Sequence, residues 1–569
     1  MKITIGDYLI RRIKELGIKH IIGVPGDFNL QFLEQIEASE GIEFVGASNE
    51  LNAAYAADGY SREHGISALC VTYGVGDLGA IGGIAGSAAE HIPVISISGI
   101  PPLFAKRHNY KVHHSLADGN FSNIANTYKE FTVVQTLVTQ QNAKEEIDRA
   151  LRAAVRYKRP VNIQLPSNLS YYFIDVDEEP LLPESHVSDE KSLNDAIKEI
   201  IMLYEKSNSP VVLVDMDVDR LEVTKEILQF IEKTQTPFAQ MSTGKAILDE
   251  NHPLFIGTYK GNDSEEYVKD KVENADFLLS VSPRFIEWNS GTYSDDLPME
   301  YLVRLDKDYT FVGDEIYEGI DIKDVLNEIL NRVEEKTERY NLNKNEEDEF
   351  TFEKEKNINH EDFWKQIKPF LKEEDLIYGE TGTTSQALGE IIMPKGTKYI
   401  ASLIWGAIGF TLPALFGSLL VNPKRRQILF IGDGSFQVTA QELSRILYKE
   451  LNPIIFVINN DGYTIERYIL GMEASYNDIP LWNYHELPHH FVKNNKMLTF
   501  NVKTQGELQE AMEKSKEATH GVLIEVHFDK QDAPETLKKF GPAVANFNFG
   551  ERGMEDMGEE ERIDEEINT

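Results

Sequence analysis

The sequence predicts an α/β protein built from three doubly wound domains, each around a parallel sheet. Three observations predict it. The chain has 569 residues, too many for one hydrophobic core when domains run to ~100–200 residues. Short β-branched runs ending in Gly, Asp or Asn alternate with segments of helical period, and the alternation recurs in three blocks. The apolar runs are continuous, as in strands buried on both faces of a parallel sheet.

The first block, residues 1–175, holds candidate strands at 20–26, 67–74, 93–99 and 160–166. A polar, Pro-containing stretch over about 175–191 reads as a linker. The second block, 190–335, has strand runs at 210–216, 275–281 and 301–305. A charged passage over about 334–357, including Asn345-Glu346-Glu347-Asp348-Glu349, reads as a second, solvated linker. The third block, 358–550, has runs at 376–379, 399–403, 427–432, 453–459 and 522–526. Residues 551–569 carry nine acids and two arginines and read as a disordered acidic tail.

Composition excludes several function classes. Lys+Arg total 57 against 94 Asp+Glu, a formal charge of −37, which repels phosphate backbones and anionic lipid. Nucleic acid and membrane are therefore not expected partners. The single cysteine, Cys70, allows neither an intrachain disulfide nor a multi-cysteine zinc site. It lies in the apolar run Ala68-Leu69-Cys70-Val71 and reads as a buried, inert thiol. No run of ~18 apolar residues occurs, and the first residues enter an amphipathic pattern with no signal peptide. A soluble, cytoplasmic protein is the expectation.

The strongest chemical signal lies in the third block. Ile428-Leu429-Phe430-Ile431 is a buried strand that ends in Gly432-Asp433-Gly434-Ser435, and a helical segment runs from Thr439 to about Lys449. The next strand, Ile454 to Ile458, ends in Asn459-Asn460-Asp461-Gly462. In a parallel sheet both ends emerge at the carboxyl edge, where ligands bind. Asp433, Asn460 and the Gly462 carbonyl then offer hard oxygens side by side, which with two phosphate oxygens suits octahedral Mg²⁺. The glycines let a diphosphate approach the backbone, and a helix after Ser435 would turn its amides toward it. GDG alone is usually just a turn; GDG followed 26–27 residues after its Asp by NN, each on a strand end, is specific.

Other motifs accompany that pair in order. They are Gly23-Val24-Pro25-Gly26-Asp27, Asn49-Glu50, Tyr73-Gly74-Val75-Gly76, His113-His114, Glu380-Thr381-Gly382-Thr383, Trp405-Gly406-Ala407-Ile408-Gly409 and Asp461-Gly462-Tyr463-Thr464-Ile465-Glu466. From about Met1 to Gly550 the chain resembles the thiamine diphosphate (ThDP)-dependent pyruvate, indolepyruvate and branched-chain 2-oxo-acid decarboxylases. Ser475-Tyr476-Asn477-Asp478-Ile479-Pro480-Leu481-Trp482 looks closest to the branched-chain members. The resemblance implies ThDP and Mg²⁺ as cofactors and pyrimidine-binding, middle and diphosphate-binding domains in that order.

It also implies residue roles. Glu50 matches the carboxylate on the aminopyrimidine ring, where a protonated Glu favours the imino tautomer that activates the thiazolium carbon. Ile408 matches the wedge that keeps the cofactor bent, and the Gly406 carbonyl the acceptor for its amino group. Pro25, Gly26, Val75, Thr383, Ala407, Gly434, Ser435, Tyr463, Thr464 and Ile465 fall at further cofactor positions, and Asp433, Asn460 and Gly462 at the metal. Asp27, His113, His114 and Glu466 match the acid–base cluster. Adjacent histidines on an extended segment point to opposite faces, so one is expected to face the substrate and the other to support it; the resemblance implies His114 for the first role and His113 for the second. In the family the cofactor lies between the N-terminal domain of one subunit and the C-terminal domain of another, so a homodimer is the minimum and a homotetramer is expected. Zinc is a poor alternative at the histidines, because no further Cys or His ligands lie at matching spacing.

The implied reaction is non-oxidative decarboxylation of a 2-oxo acid to an aldehyde and CO₂ through ylide and enamine intermediates. Thr72, Trp288, Thr381, Ser385, Gln386, Ile465 and Phe540 are the expected pocket residues. Small, polar Ser385 and Gln386 point to a roomier wall and Trp288 to a narrower entrance, and the balance leans toward branched-chain or aryl substrates, with pyruvate the alternative. An FAD-containing acetohydroxyacid synthase-like carboligase shares Glu50 and GDG…NN, but His113-His114 argues against it. Gly82 and Ala88 depart from the family's Asn and Tyr; the lost side chains could loosen the site, or leave an impaired ThDP-binding subunit.

Overall fold

The computed structural model describes residues 1–182, 187–343 and 350–550. The acidic run at 345–349 and the tail at 551–569 lie outside the described residues.

Three sheets organise the chain. The first orders its strands Glu43–Gly46, His20–Gly23, Ser67–Thr72, Val94–Ile100, Val161–Pro166 and Val134–Leu137, all parallel. Its inner strands are buried along their whole length, as continuous apolar runs require. The third sheet repeats the plan: Lys398–Ile400, Leu376–Gly379, Gln427–Gly432, Ile454–Asn459, Val522–His527 and Leu498–Val502, again parallel.

The middle sheet has seven strands and is not wholly parallel. Leu302–Leu305, Tyr309–Val312 and Glu315–Glu318 close it as an antiparallel meander. The connections are too short for a crossover, and Gly313, at φ +55°, supplies the tight turn between the last two.

The N- and C-terminal domains share one hydrophobic core. Helix Glu50–His64 of the first packs on helix Thr411–Val421 of the third. A methyl on Gly59 would lie 2.0 Å from the Ala414 carbonyl oxygen, and one on Gly417 1.8 Å from that of Ala56. Arg62 covers the Phe410 ring at 5.1 Å. The two helices therefore run antiparallel, backbone against backbone. Cys70 lies fully buried in the first sheet, and burial pushes its thiol up to about 12, so it is inert as expected.

Candidate active site

Strands Gln427–Gly432 and Ile454–Asn459 are parallel neighbours, Gly432 opposite Ile458, so both open at one edge. Here the structure corrects one expectation. The helix begins at Asp433, with Gly432 as N-cap, and not after Ser435. None of Gly432 to Ser435 has the positive φ that a separate turn would need. Gly434 is used for packing instead: a methyl there would lie 2.5 Å from the Tyr463 ring.

Asp433 is 1% exposed, and burial pushes its carboxyl up to about 7. Its Oδ1 accepts from the Gly434 amide at 2.7 Å, and its Oδ2 from the amides of Asn460 and Gly462 at 3.2 Å each. One end of the Asn460 side-chain amide lies 3.0 Å from the Gly462 carbonyl oxygen and 3.3 Å from Asp433 Oδ1. With nitrogen there it donates to both; with oxygen there, three oxygens converge as a hard cation requires. The donor set fits Mg²⁺. Gly462, at φ +129°, has only 2.2 Å between a would-be methyl and the Asn477 carbonyl, so no side chain is tolerated. Ser435 is buried beside this group, the Tyr463 amide donates to the Asn477 carbonyl at 2.9 Å, and the Thr464 hydroxyl to that of Lys530 at 3.2 Å.

Trp405, Gly406, Ala407 and Ile408 form a loop before helix Thr411–Val421, with Gly406 at φ +64°. Trp405 and Ile408 are 43% and 37% exposed in the single chain, high values for large apolar side chains in a site. Thr383 opens helix Thr383–Glu390 and is buried; a methyl on Gly382 before it would lie 3.9 Å from Ile465.

At the N-terminal domain, Asn29 shapes the Pro25–Asp27 turn: its Oδ1 accepts from the Gly26 amide and its Nδ2 donates to the Val24 carbonyl. Gly26 lies on buried Thr72, 2.5 Å from a would-be methyl. The histidines depart from the extended geometry expected of them. His114 has φ +60° in a turn, and a methyl on Gly74 would lie 1.9 Å from its carbonyl oxygen. That turn folds both rings onto one side. His113 Nε2 is 2.8 Å and His114 Nε2 3.8 Å from the Asp27 carboxylate, ring centroids are 4.4 Å apart, and Phe28 stacks on His113. Val75 opens helix Val75–Ala89 and is 54% exposed. Glu50, half-buried, opens helix Glu50–His64 behind the Asn49 cap and faces Gly79, 3.1 Å from a would-be methyl.

The single chain thus holds two separate half-sites. Glu466 is exposed on helix Thr464–Ile469 at the Asp433 end, and no described bond joins it to Asp27, His113 or His114. No described bond joins Glu50 to the 405–410 loop either. The loop's Phe410 meets the Glu50–His64 helix at Tyr55, ring centroids 5.5 Å apart, and at Arg62, and no described contact joins it to Glu50 itself.

Four of the expected pocket residues, Trp288, Ser385, Gln386 and Phe540, line one cavity of about 550 Å³ between the middle and C-terminal domains. Trp288 and Phe540 meet edge to face, centroids 5.2 Å apart. The Ser385 hydroxyl bonds Gly382 in the helix cap, and the Thr381 hydroxyl donates to the Ser402 carbonyl. Thr72 and Ile465 stand outside this cavity.

Sequence reasoning missed Arg467. Fully buried, it donates to the carbonyls of Asn460, Asp461 and Asn477 and pairs with Asp478 at 3.1 Å, so it holds the metal-side loop in shape. An arginine three residues into a short helix carries no such signal. Glu380 was read only as part of a motif, although it is wholly buried.

Comparison with known proteins agrees with this layout. Residues 3–119, 197–332 and 380–526 match the N-terminal TPP binding, central and C-terminal TPP binding domains of the thiamine pyrophosphate enzymes. The pyruvate decarboxylases of Kluyveromyces lactis and Kluyveromyces marxianus are each 36% identical over 560 residues, and isozyme 3 of Saccharomyces cerevisiae 35% over 565. Each alignment covers 96% of this chain and 99% of the relative.

Proposed function

The chain belongs to the ThDP-dependent 2-oxo-acid decarboxylases, and from that membership we propose that it converts pyruvate to acetaldehyde and CO₂ without oxidation. The names of its relatives support pyruvate; the branched-chain or aryl preference expected from the pocket residues receives no support from them. The observation that carries the reading is the convergence of Asp433, Asn460 and the Gly462 carbonyl at the mouth of the third sheet.

Bound ThDP supplies a nucleophilic carbon and an electron sink for the pair released as CO₂ leaves. The protein's own residues do the rest. Asp433, Asn460 and Gly462 would hold Mg²⁺ against the diphosphate, with Gly434, Ser435, Tyr463, Thr464 and Ile465 around it. Gly406, Ala407, Ile408 and Thr383 would seat the middle of the cofactor, and Glu50, Pro25, Gly26 and Val75 its pyrimidine end. The Asp27 carboxylate orients both imidazoles, so that His114 can deliver a proton to the product carbon with His113 behind it. Glu466 would complete that set from a second chain. The absence of a described bond between Glu50 and the 405–410 loop, and between Glu466 and Asp27, His113 or His114, supports a homodimer as the working unit, with a homotetramer as its expected assembly. No described helix is long and apolar enough to cross a membrane; the proposed location is cytoplasmic.

The test is NADH loss in an assay coupled to alcohol dehydrogenase, with ThDP and Mg²⁺, across pyruvate, 2-oxoisovalerate, 4-methyl-2-oxopentanoate, phenylpyruvate and indolepyruvate. Turnover highest on pyruvate and absent in Glu50→Ala is expected. A peak on a larger acid would return the substrate to the branched-chain or aryl class. No turnover on any, with ThDP bound, would overturn the reading.

A further inference from the structure

Glu380 ends strand Leu376–Gly379 with no exposed surface, and no described lysine or arginine pairs with it. Four donors meet its carboxylate instead. Oε1 accepts from the Thr381 amide at 3.0 Å, and Oε2 from the Thr411 amide at 3.2 Å and the Thr411 hydroxyl at 2.5 Å. The Gly409 amide is the fourth. Three of these donors belong to the segment that closes the Trp405–Phe410 loop. The far end of that loop is held by Glu90, whose Oε1 accepts from the amides of Ile404 and Trp405, and the Thr439 hydroxyl fixes the Gly409 carbonyl at 2.7 Å. Between these anchors Gly406 and Gly409 both have positive φ, a backbone course that side chains rarely take.

We propose that Glu380 is a positioning residue: its carboxylate clamps the 405–411 segment, and so sets where the Gly406 carbonyl and Ile408 stand when ThDP binds. The inference rests on the functional reading above. Charge on the carboxylate is what makes the clamp strong, because hydrogen bonds to an ion are about twice as strong as neutral ones. Burial pushes Glu380 up to about 7, so the charge is lost as pH falls through neutrality. The titratable groups facing it are Tyr55, from helix Glu50–His64, and Tyr399, from strand Lys398–Ile400. Burial and this carboxylate push both phenols up, and they stay neutral throughout. The clamp is thus set above about pH 7 and released below it.

The experiment is calorimetric titration of ThDP into the metal-free apoenzyme with saturating Mg²⁺, at steps between about pH 6 and 8.5. Each variant is compared with wild type at the same pH, which cancels the cofactor's own ionisations. Glu380→Gln is expected to bind about tenfold more weakly at pH 8 and nearly as wild type at pH 6. Thr411→Val, which removes one donor and keeps the shape, is expected to move the midpoint of the wild-type pH dependence upward. Equal affinity of Glu380→Gln and wild type across the range would overturn the proposal. Should Glu380→Gln not fold, judged by its far-UV circular dichroism, an unmoved midpoint in Thr411→Val would overturn it. Asp433→Ala separates this from the site reading: wild-type ThDP affinity in that variant would sink the site reading itself.

Discussion

At the scale of single residues, binding and proton transfer rest on different side chains. The Asp433 carboxylate bonds the metal-side loop, whereas His114 meets Asp27, His113, Phe28 and the 73–75 turn. His114→Ala should therefore lower kcat by about 10²–10⁴-fold and leave intact the rise in Tm that ThDP and Mg²⁺ give wild type. Asp433→Asn should abolish that rise, as EDTA should in wild type. A normal rise in Asp433→Asn would remove Asp433 from the metal site. The difference between these groups also explains what could be read in advance. Asp433, Asn460 and Gly462 were legible because two strand ends in one parallel sheet must open at the same edge. The meeting of His113 and His114 on one carboxylate was not, since it depends on a positive φ at His114 that no neighbouring glycine announces. Arg467 acts on carbonyls of the turns flanking its helix and Glu380 mainly on donors 31 residues further on, and neither residue type carries a trace of the role.

At the scale of elements, the buried strands were legible and the edges were not. Ser67–Thr72, Val94–Ile100 and Ile454–Asn459 are buried throughout and mostly apolar because helices cover both faces. Glu43–Gly46, Val134–Leu137 and Leu498–Val502 lie at sheet edges and mix polar with apolar residues. The helix Val75–Ala89 shows how local packing decides a substitution. Gly82 and Gly83 are adjacent in it, yet a methyl on Gly82 would meet only Leu51 at an ordinary 3.5 Å, while one on Gly83 would lie 2.5 Å from the Ala54 Cβ. Gly82→Ala should stabilise by about 0.5–1 kcal/mol through lost freedom of the unfolded chain, and Gly83→Ala should destabilise by about 1–3 kcal/mol through overpacking. Denaturant unfolding of both variants checks it, and a destabilised Gly82→Ala would show that the helix has no room at that face. The Gly82 departure therefore leaves packing unstrained, and buried Ala88 still offers its carbonyl to Arg159 at 2.9 Å.

At the scale of the whole molecule, the antiparallel contact between helices Glu50–His64 and Thr411–Val421 determines what one chain can complete. Gly59 on Ala414 and Gly417 on Ala56 bring the backbones so close that the helices cannot slide. That contact joins the first and third domains firmly, and within it no described contact joins Glu50 to the loop of its own chain that carries Gly406 and Ile408. Val75, Leu78, Trp405, Ile408 and Val438 remain exposed around the two half-sites, a set of apolar side chains that a second copy would cover. If Glu50 of one chain serves Asp433 of the other, two inactive variants should repair each other. Glu50→Ala and Asp433→Ala, unfolded together and refolded as an equimolar mixture, would form mixed dimers in which one site has both native residues and the other has neither. Random pairing makes half the dimers mixed and restores about a quarter of the wild-type sites, while each variant refolded alone stays inactive. Recovery near that fraction, measured in the coupled assay, places the two residues in different chains. An inactive mixture whose mixed dimers are demonstrated by differential tagging would place both in one chain.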